Sequence, residues 1–369
     1  MYSIELKSNK SRVDKEININ SRKSWKILQD FESLQLQSDQ IIKNRTAKIH
    51  SDYLFHLKDA EVFGYKTVIC QGNYYSDEIS HDDFNLEKLT RSKYSPLDGQ
   101  IIYEPSSSTL NVDSSIHRKS IELDSVVGVF SDEPSNYGSF MYRVLPKIKY
   151  CLDLGMHDAT FLFHEKPYMH EIIRTLLGVS VKTISHKANA HYKIDELYLP
   201  TLRNKNCLYR PDCLNIYRDG ARKVETKGVA KRVYVSRRQM AKTKPDFRVM
   251  ENESELVDKL EELGFMEFCP EEHSIEVQIA TFRDAEEIIV AGGSALFNLP
   301  YAMNAKFIVD LESTNHWIYA HSNILYSVGV PFSIIYGQQL ETGFNLHKNW
   351  YININDVVKR VERLRFKYC

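Results

Sequence analysis

Short apolar runs along this chain alternate with stretches whose apolar residues recur at helical spacing. Ser125-Val126-Val127-Gly128-Val129-Phe130 has the pattern of a buried strand, and Ser131-Asp132-Glu133-Pro134-Ser135-Asn136-Tyr137-Gly138 supplies turn chemistry after it. Residues 139–154 place Phe140, Met141, Val144, Leu145, Ile148, Cys151 and Leu152 on one stripe, which predicts a helix kinked at Pro146 and ended by Gly155. A strand over 159–163, a helix over 168–177 and strands over 179–184 and 197–202 follow. That alternation argues a parallel sheet covered by helices. Before it, residues 61–70 read as a hairpin, residues 76–108 as mostly loop, and residues 1–50 as a polar arm or outlying helix pair.

Periodicity fails over 204–228 and then resumes. Strands are predicted at 232–235, 266–269, 288–291, 306–311 and 332–336, with helices over 253–263, 274–282, 294–303 and 355–367. Asn252 with Glu255 resembles a capping box, and Gly264 suits the end of the same helix. The fold class expected is α/β. Residues 1–205 are expected to form a first domain and residues 206–345 a second. Residues 346–369 make a final helix able to cross back onto the first domain.

Composition changes this picture little. The chain has 369 residues, 43% apolar and 26% charged, with a net charge of -1, which gives no support to a nucleic-acid binder. The six cysteines form no C-x-x-C pair and no metal-ligand spacing, and buried reduced thiols point to a cytosolic setting. The N-terminus lacks the apolar core of a signal segment, and no apolar run approaches a membrane span. Charge is distributed unevenly, however. Residues 218–248 hold eleven Lys and Arg against three acids, whereas residues 251–287 hold thirteen acids against Lys259 and Arg283.

Candidate chemistry gathers at strand ends. Gly292-Gly293-Ser294 joins a buried strand to a helix, where glycine lets a ligand approach the backbone and the amides of Ser294, Ala295 and Leu296 face an anion. Ser236, Arg237 and Arg238 follow another strand at the same sheet edge, and two guanidiniums beside a glycine-opened turn make a diphosphate clamp. Each signal is weak alone; many such turns need glycine only for packing, and most paired arginines are surface residues.

The ordered set N-Y-G-x-F at Asn136, R-V-Y-V-S-R-R at Arg232, N-E-x-E-L at Asn252, L-G-F at Leu263, P-E-x-x-S at Pro270, Glu276-Val277-Gln278-Ile279, and G-x-A-L-x-N ending on Asn298 resembles glycosyltransferase family 61. The resemblance spans about 136–311. It implies a GT-B-like architecture of two Rossmann-like domains with an interdomain cleft. The implied reaction is an inverting, metal-independent transfer from a nucleotide sugar to a glycan hydroxyl, in bacterial relatives often during capsule or other surface polysaccharide biosynthesis. A hexosyl- or pentosyltransferase acting on a glycan or lipid-linked acceptor follows. Two departures stand out, because relatives commonly carry histidine where this chain has Ser139 and His-Gly where it has Gly292-Gly293.

An inverting transfer needs a base for the acceptor hydroxyl and dipoles for the departing diphosphate. Asp132 is the favoured base, with Glu133 and His164 behind it; Asp132 as a simple turn cap is the plainer reading. Asn136, Tyr137 and Ser139 fall on the acceptor side, while Asn252, Glu276 and Asn298 are donor-binding candidates. No DxD-like metal motif stands on a strand end, since His81-Asp82-Asp83 lies in apparent loop; no metal and no cofactor are expected. The last helix carries Lys359, Arg360, Arg363, Arg365 and Lys367 and offers a peripheral contact to the inner face of a membrane. The rival function is a catalytically impaired nucleotide-sugar-binding or scaffold protein of the same fold. A dinucleotide oxidoreductase is disfavoured by the absence of G-x-G-x-x-G after Ala291.

Overall fold

A computed structural model describes residues 2–5, 24–26, 31–33, 46–48, 52–78, 101–104, 109–112, 120–243, 248–313, 318–340 and 348–369. The chain divides into two compact units, Met1–Lys23 with Lys48–Lys205 and Ser24–Ala47 with Asn206–Cys369. His81-Asp82-Asp83 lies outside the described residues.

In the first unit, β1 (Leu54–Phe63), β2 (Thr67–Cys70), β3 (Asn73–Tyr75), β4 (Ser120–Gly128), β5 (Thr160–Phe163), β6 (Lys182–Ser185) and β7 (His191–Pro200) form one sheet in the order β6-β5-β4-β7-β1-β2-β3. The first four are mutually parallel, and β1 to β3 continue the sheet antiparallel from β7. The strand order therefore runs outward from β4 through β5 and β6 on one side and resumes with β7 on the other, which opens a crevice at their carboxyl ends. Phe55, Leu57, Val62, Val126, Phe130, Leu162, Ile194 and Leu197 pack in its core.

The helix expected at residue 139 starts at Tyr137, widens into a π-helical stretch Phe140–Val144, and becomes α1 (Leu145–Asp153). Leu145 N–H bonds the Phe140 carbonyl, so Pro146 falls in the first turn of a renewed α-helix, where its missing donor is tolerated. α2 (Pro167–Leu177) ends on Gly178 at φ 72°.

The second unit holds β8 (Arg232–Val235), β9 (Met266–Phe268), β10 (Glu287–Ala291), β11 (Phe307–Glu312) and β12 (Phe332–Tyr336), all parallel, in the order β9-β8-β10-β11-β12. A sixth parallel strand, Phe31–Ser33, pairs with β12. The described pieces of residues 1–50 are thus strands, not the helix pair the polar composition suggested. β10 is buried at every position, which is why it reads as an uninterrupted apolar run.

α3 (Pro211–Lys223), α4 (Arg238–Thr243), α5 (Glu253–Glu262), α6 (Ile275–Asp284), α7 (Ile318–Val328) and α8 (Ile354–Tyr368) complete this unit. Val357, Val361 and Leu364 of α8 enter the same core as Leu256, Val257 and Leu260 of α5. The final helix therefore belongs to the second unit, because its apolar stripe is already covered there. Arg365 reinforces this by donating to Glu287 at 2.7 Å. Among the described residues no helix is long and apolar enough to cross a membrane.

Candidate functional site

The second unit's sheet order changes direction between β8 and β10, and open parallel sheets receive ligands outside the strand ends at such a point. The segments leaving those two strands are Ser236-Arg237-Arg238 and Gly292-Gly293-Ser294. The fold itself thus brings these two sequence signals to one crevice.

Arg237 reaches across it. Its Nη1 donates to the Gly292 carbonyl at 3.1 Å, and a Cβ built on Gly293 would lie 2.3 Å from that same nitrogen. Gly293 has φ 140°, a conformation that side chains rarely adopt, so glycine is required here both by backbone shape and by the guanidinium above it. The loop is pinned from below by Glu253, whose Oε1 accepts from Tyr234 Oη (2.8 Å), Ser236 Oγ (3.0 Å) and the Arg237 amide (2.9 Å). Ser236 in turn accepts from the Arg238 amide at 3.1 Å. Ser236 and Glu253 accordingly hold the backbone in place.

Arg238 does not join Arg237. It forks onto Glu267, with Nε 2.7 Å from Oε1 and Nη2 on Oε2, and its side chain is 38% exposed. Burial would raise Glu267, but this pairing holds its carboxyl below the ordinary range. The second guanidinium beside the glycine turn is Arg248, whose Nη2 lies 3.7 Å from the Cβ position of Gly293. Burial lowers Arg237, and it lowers Arg248 to about 10 with Arg237's charge adding to the effect. Two desolvated cations facing each other make a site that favours an anion. Beside Gly293 the structure thus brings Arg237 together with Arg248, while Arg238 turns to Glu267.

The remaining donor-side candidates divide. Residues Ser294–Tyr301 form a 3₁₀ rather than an α-helix, and the Leu296 amide is used by the Gly293 carbonyl at 3.1 Å. Ser294 and Ala295 stay partly exposed at the turn; Leu296 and Asn298 are buried. Asn252 makes no cap. Its Nδ2 donates to the Ile352 carbonyl (2.8 Å) and its Oδ1 accepts from the Ile352 amide (3.1 Å), so its side chain clamps two backbone segments together. Glu276 is exposed in the first turn of α6. Beside Arg238, Lys242, Glu253, Ser254, Glu267 and His273 line part of a cavity of about 550 Å³.

In the first unit, Asp132 lies after β4, but it is engaged. Its carboxylate is 3.2 Å from Arg143 Nη1 and 3.7 Å from Lys66 Nζ, and those cations also meet Glu78 at 3.1 and 2.8 Å. Burial would raise Asp132, yet Arg143 and Lys66 hold it below the usual carboxylate range. A carboxylate so stabilised is a weak base, which removes the reason to favour it. Glu133 is half-buried, its amide donating to Ser131 Oγ at 3.1 Å. His164 leaves the end of β5 with Nε2 3.4 Å from Ser135 Oγ; burial and Lys166 lower its pKa, so the ring is neutral near pH 7. Asn136 caps the helix start by accepting from the Ser139 amide at 3.1 Å, and Tyr137 sits 5.8 Å from the Tyr168 ring. Ser139 is buried against Ser131 at 2.5 Å.

A further group was absent from the sequence reading. Asp310 and Glu312 on β11 and His321 on α7 are buried together, and one ligand atom from each lies within 4.8 Å of the others. A Cβ on Gly292 would come 2.3 Å from Glu312 Oε1, so this carboxyl fills the space beside the glycine turn. Two acids at i and i+2 on a strand buried throughout were the available signal.

Residues 137–309 match the family model described as Glycosyltransferase 61. Over this segment the chain is similar to glycosyltransferase family 61. The matched segment begins at the first unit's Tyr137, runs through the Arg237 and Gly292-Gly293 crevice, and ends one residue before Asp310. No curated protein matches the chain.

Proposed function

We propose that this chain is a family 61 glycosyltransferase and uses a nucleotide-sugar donor whose diphosphate lies across Gly292-Gly293 between Arg237 and Arg248. The observation carrying this reading is the Arg237 guanidinium held over Gly293 at the sheet's switch point, with a second, half-buried guanidinium beside it. A guanidinium buried in this way donates strong paired hydrogen bonds to phosphate oxygens and stabilises the negative charge that grows as the glycosidic bond breaks. The cavity lined by Arg238, Val249, Glu253 and Glu267 has the size of a nucleoside pocket.

Transfer is proposed to invert the anomeric centre, with the acceptor hydroxyl attacking as the diphosphate leaves. His164 is the base that suits this step best, being neutral and partly exposed, while Asp132 is occupied with Arg143 and Lys66. A two-lobed GT-B arrangement would bring acceptor and donor groups together. The acceptor is proposed to be a glycan, free or lipid-linked, in cytoplasmic surface-polysaccharide assembly. Lys359, Arg363 and Lys367 beside the exposed Phe366 offer the membrane-facing contact; Arg360 is buried and Arg365 is paired with Glu287.

The second reading, a binding protein without turnover, draws on one specific finding. Neither Ser139, buried on Ser131, nor Gly292, filled by Glu312, leaves room for the histidine of relatives. Release of nucleoside diphosphate from a panel of nucleotide sugars with glycan acceptors separates the two. Turnover that falls at least a hundredfold in Arg237→Ala supports transfer, and saturable donor binding without turnover across the panel supports the second reading.

A further inference from the structure

Glu312 ends β11 and is only 1% exposed, yet it stands on the donor turn. A Cβ on Gly292 would lie 2.3 Å from its Oε1 and 2.8 Å from its Oε2. One on Gly293 would lie 2.3 Å from Arg237 Nη1 and 3.7 Å from Arg248 Nη2. One carboxyl and two guanidiniums thus press on two consecutive glycines. Both arginines act on the charge of Glu312, and it acts on theirs in return.

The other groups facing Glu312 hold their own charge states fixed. Asp310, fully buried on the same strand, is held well above the usual carboxylate range by burial and by Glu312, so it keeps its proton and directs it to Glu312. His321 on α7 meets Glu312 Oε1 through Nδ1, and burial lowers it to about 4, so the ring is neutral. Burial also raises Tyr336 on neighbouring β12, which stays protonated. Glu312 differs from these three: burial raises it to about 7, against the opposing pull of Arg248, Asp310 and Arg237. Near neutral pH its charged and neutral forms are therefore almost balanced.

A diphosphate lying across the same glycines brings several negative charges against this carboxyl, which is too enclosed to turn away. Like charge favours the neutral form, and a neutral carboxyl can donate a hydrogen bond to phosphate oxygen where the ionised one can only accept. We propose that Glu312 is the resident counter-anion of Arg237 and Arg248 and is neutralised by a proton when a diphosphate docks, so that donor binding takes up a proton. This rests on the donor site proposed above. The proton comes from solvent and returns to it when the diphosphate leaves; no other bond changes. Because the bound state raises the affinity of Glu312 for its proton, diphosphate binding is at full strength below the free pKa and weakens as pH rises through it.

The test uses the full chain, inorganic pyrophosphate and calorimetric titration in buffers of different ionisation heat, which counts the protons taken up. Glu312→Gln keeps the shape of the side chain and cannot ionise, and the ligand's own titration is common to both proteins. At pH 8 the wild type should take up about half to one proton more than Glu312→Gln. The variant should bind pyrophosphate about tenfold more tightly than the wild type at pH 8, and within about twofold of it at pH 6. Equal proton counts at pH 8, or binding in the variant no tighter than in the wild type, overturns the proposal. Should the variant not fold, the wild type decides alone. Its affinity should fall severalfold from pH 7 to pH 8 although pyrophosphate gains negative charge over that range, and a flat or rising affinity overturns the proposal. Arg237→Ala keeps the donor-site reading separate: pyrophosphate binding that depends on Arg237 without extra proton uptake sinks only the role of Glu312, whereas no binding to the wild type sinks both.

Discussion

Arg237 Nη1 lies 2.3 Å from the position a Cβ on Gly293 would occupy. Side chain and glycine are therefore one device, in which the missing Cβ is the space the guanidinium uses. Gly293→Ala should displace Arg237 and strain a backbone at φ 140°, costing about 1–3 kcal/mol of stability. Nucleoside-diphosphate binding, followed by calorimetry, should weaken tenfold or more even where the fold survives.

Gly292 and Glu312 share a second tight boundary. Gly292→Ala should be destabilising, and combining it with Glu312→Ala should recover part of the loss. A double-mutant cycle from urea unfolding should give a coupling of about 1 kcal/mol or more, as for residues in direct contact. Additive effects would show that Glu312 does not occupy that space.

Activity should fall as pH drops through the pKa of His164, which burial and Lys166 hold below the ordinary value near 6.5. His164→Gln should lower kcat/KM by about 10²–10⁴-fold and remove this acid limb. Asp132→Asn should keep the limb while lowering stability by about 1–3 kcal/mol, because Arg143 and Lys66 lose a partner. A pH–rate profile of both variants decides which residue titrates.

His186 links stability to pH. It is buried against Phe130 with Nε2 unpartnered among the described residues, and burial lowers its pKa to about 3. Between about 6.5 and 3 the unfolded chain holds a proton that the folded chain refuses, so this contribution is lost as pH falls. By pH 4.5 the loss is roughly 3 kcal/mol. Urea unfolding at pH 7.5 and 4.5 should show a smaller pH effect in His186→Gln than in the wild type.

Much of the second unit was legible because its strands are parallel and buried on both sides. Ile288-Ile289-Val290-Ala291 and Phe307-Ile308-Val309 stand out as apolar runs, and Gly292-Gly293 marks the turn between strand and helix. Adjacency in sequence misled for Arg238, since consecutive residues leaving a strand diverge and Arg238 met Glu267 on β9 instead. Arg248, eleven residues beyond Arg237, could be placed only by the fold. Asn252 looked like a cap from spacing, but its amide matched the Ile352 backbone a hundred residues away. In the first unit Asp132 seemed available because its partners, Lys66, Glu78 and Arg143, come from distant positions. Local patterns reported the elements, whereas long-range pairing decided which charged groups stay available for a ligand.

The central claim is that Arg237 and Arg248, and not Arg238, hold the donor diphosphate at Gly292-Gly293. Calorimetric titration of wild type, Arg237→Ala, Arg248→Ala and Arg238→Ala with a nucleoside diphosphate tests it most directly. The account predicts tenfold or greater weakening in the first two variants and a change of no more than a few fold in Arg238→Ala, as expected if Arg237 and Arg248 face the diphosphate while Arg238 stays on Glu267. Undiminished binding in folded Arg237→Ala would contradict it.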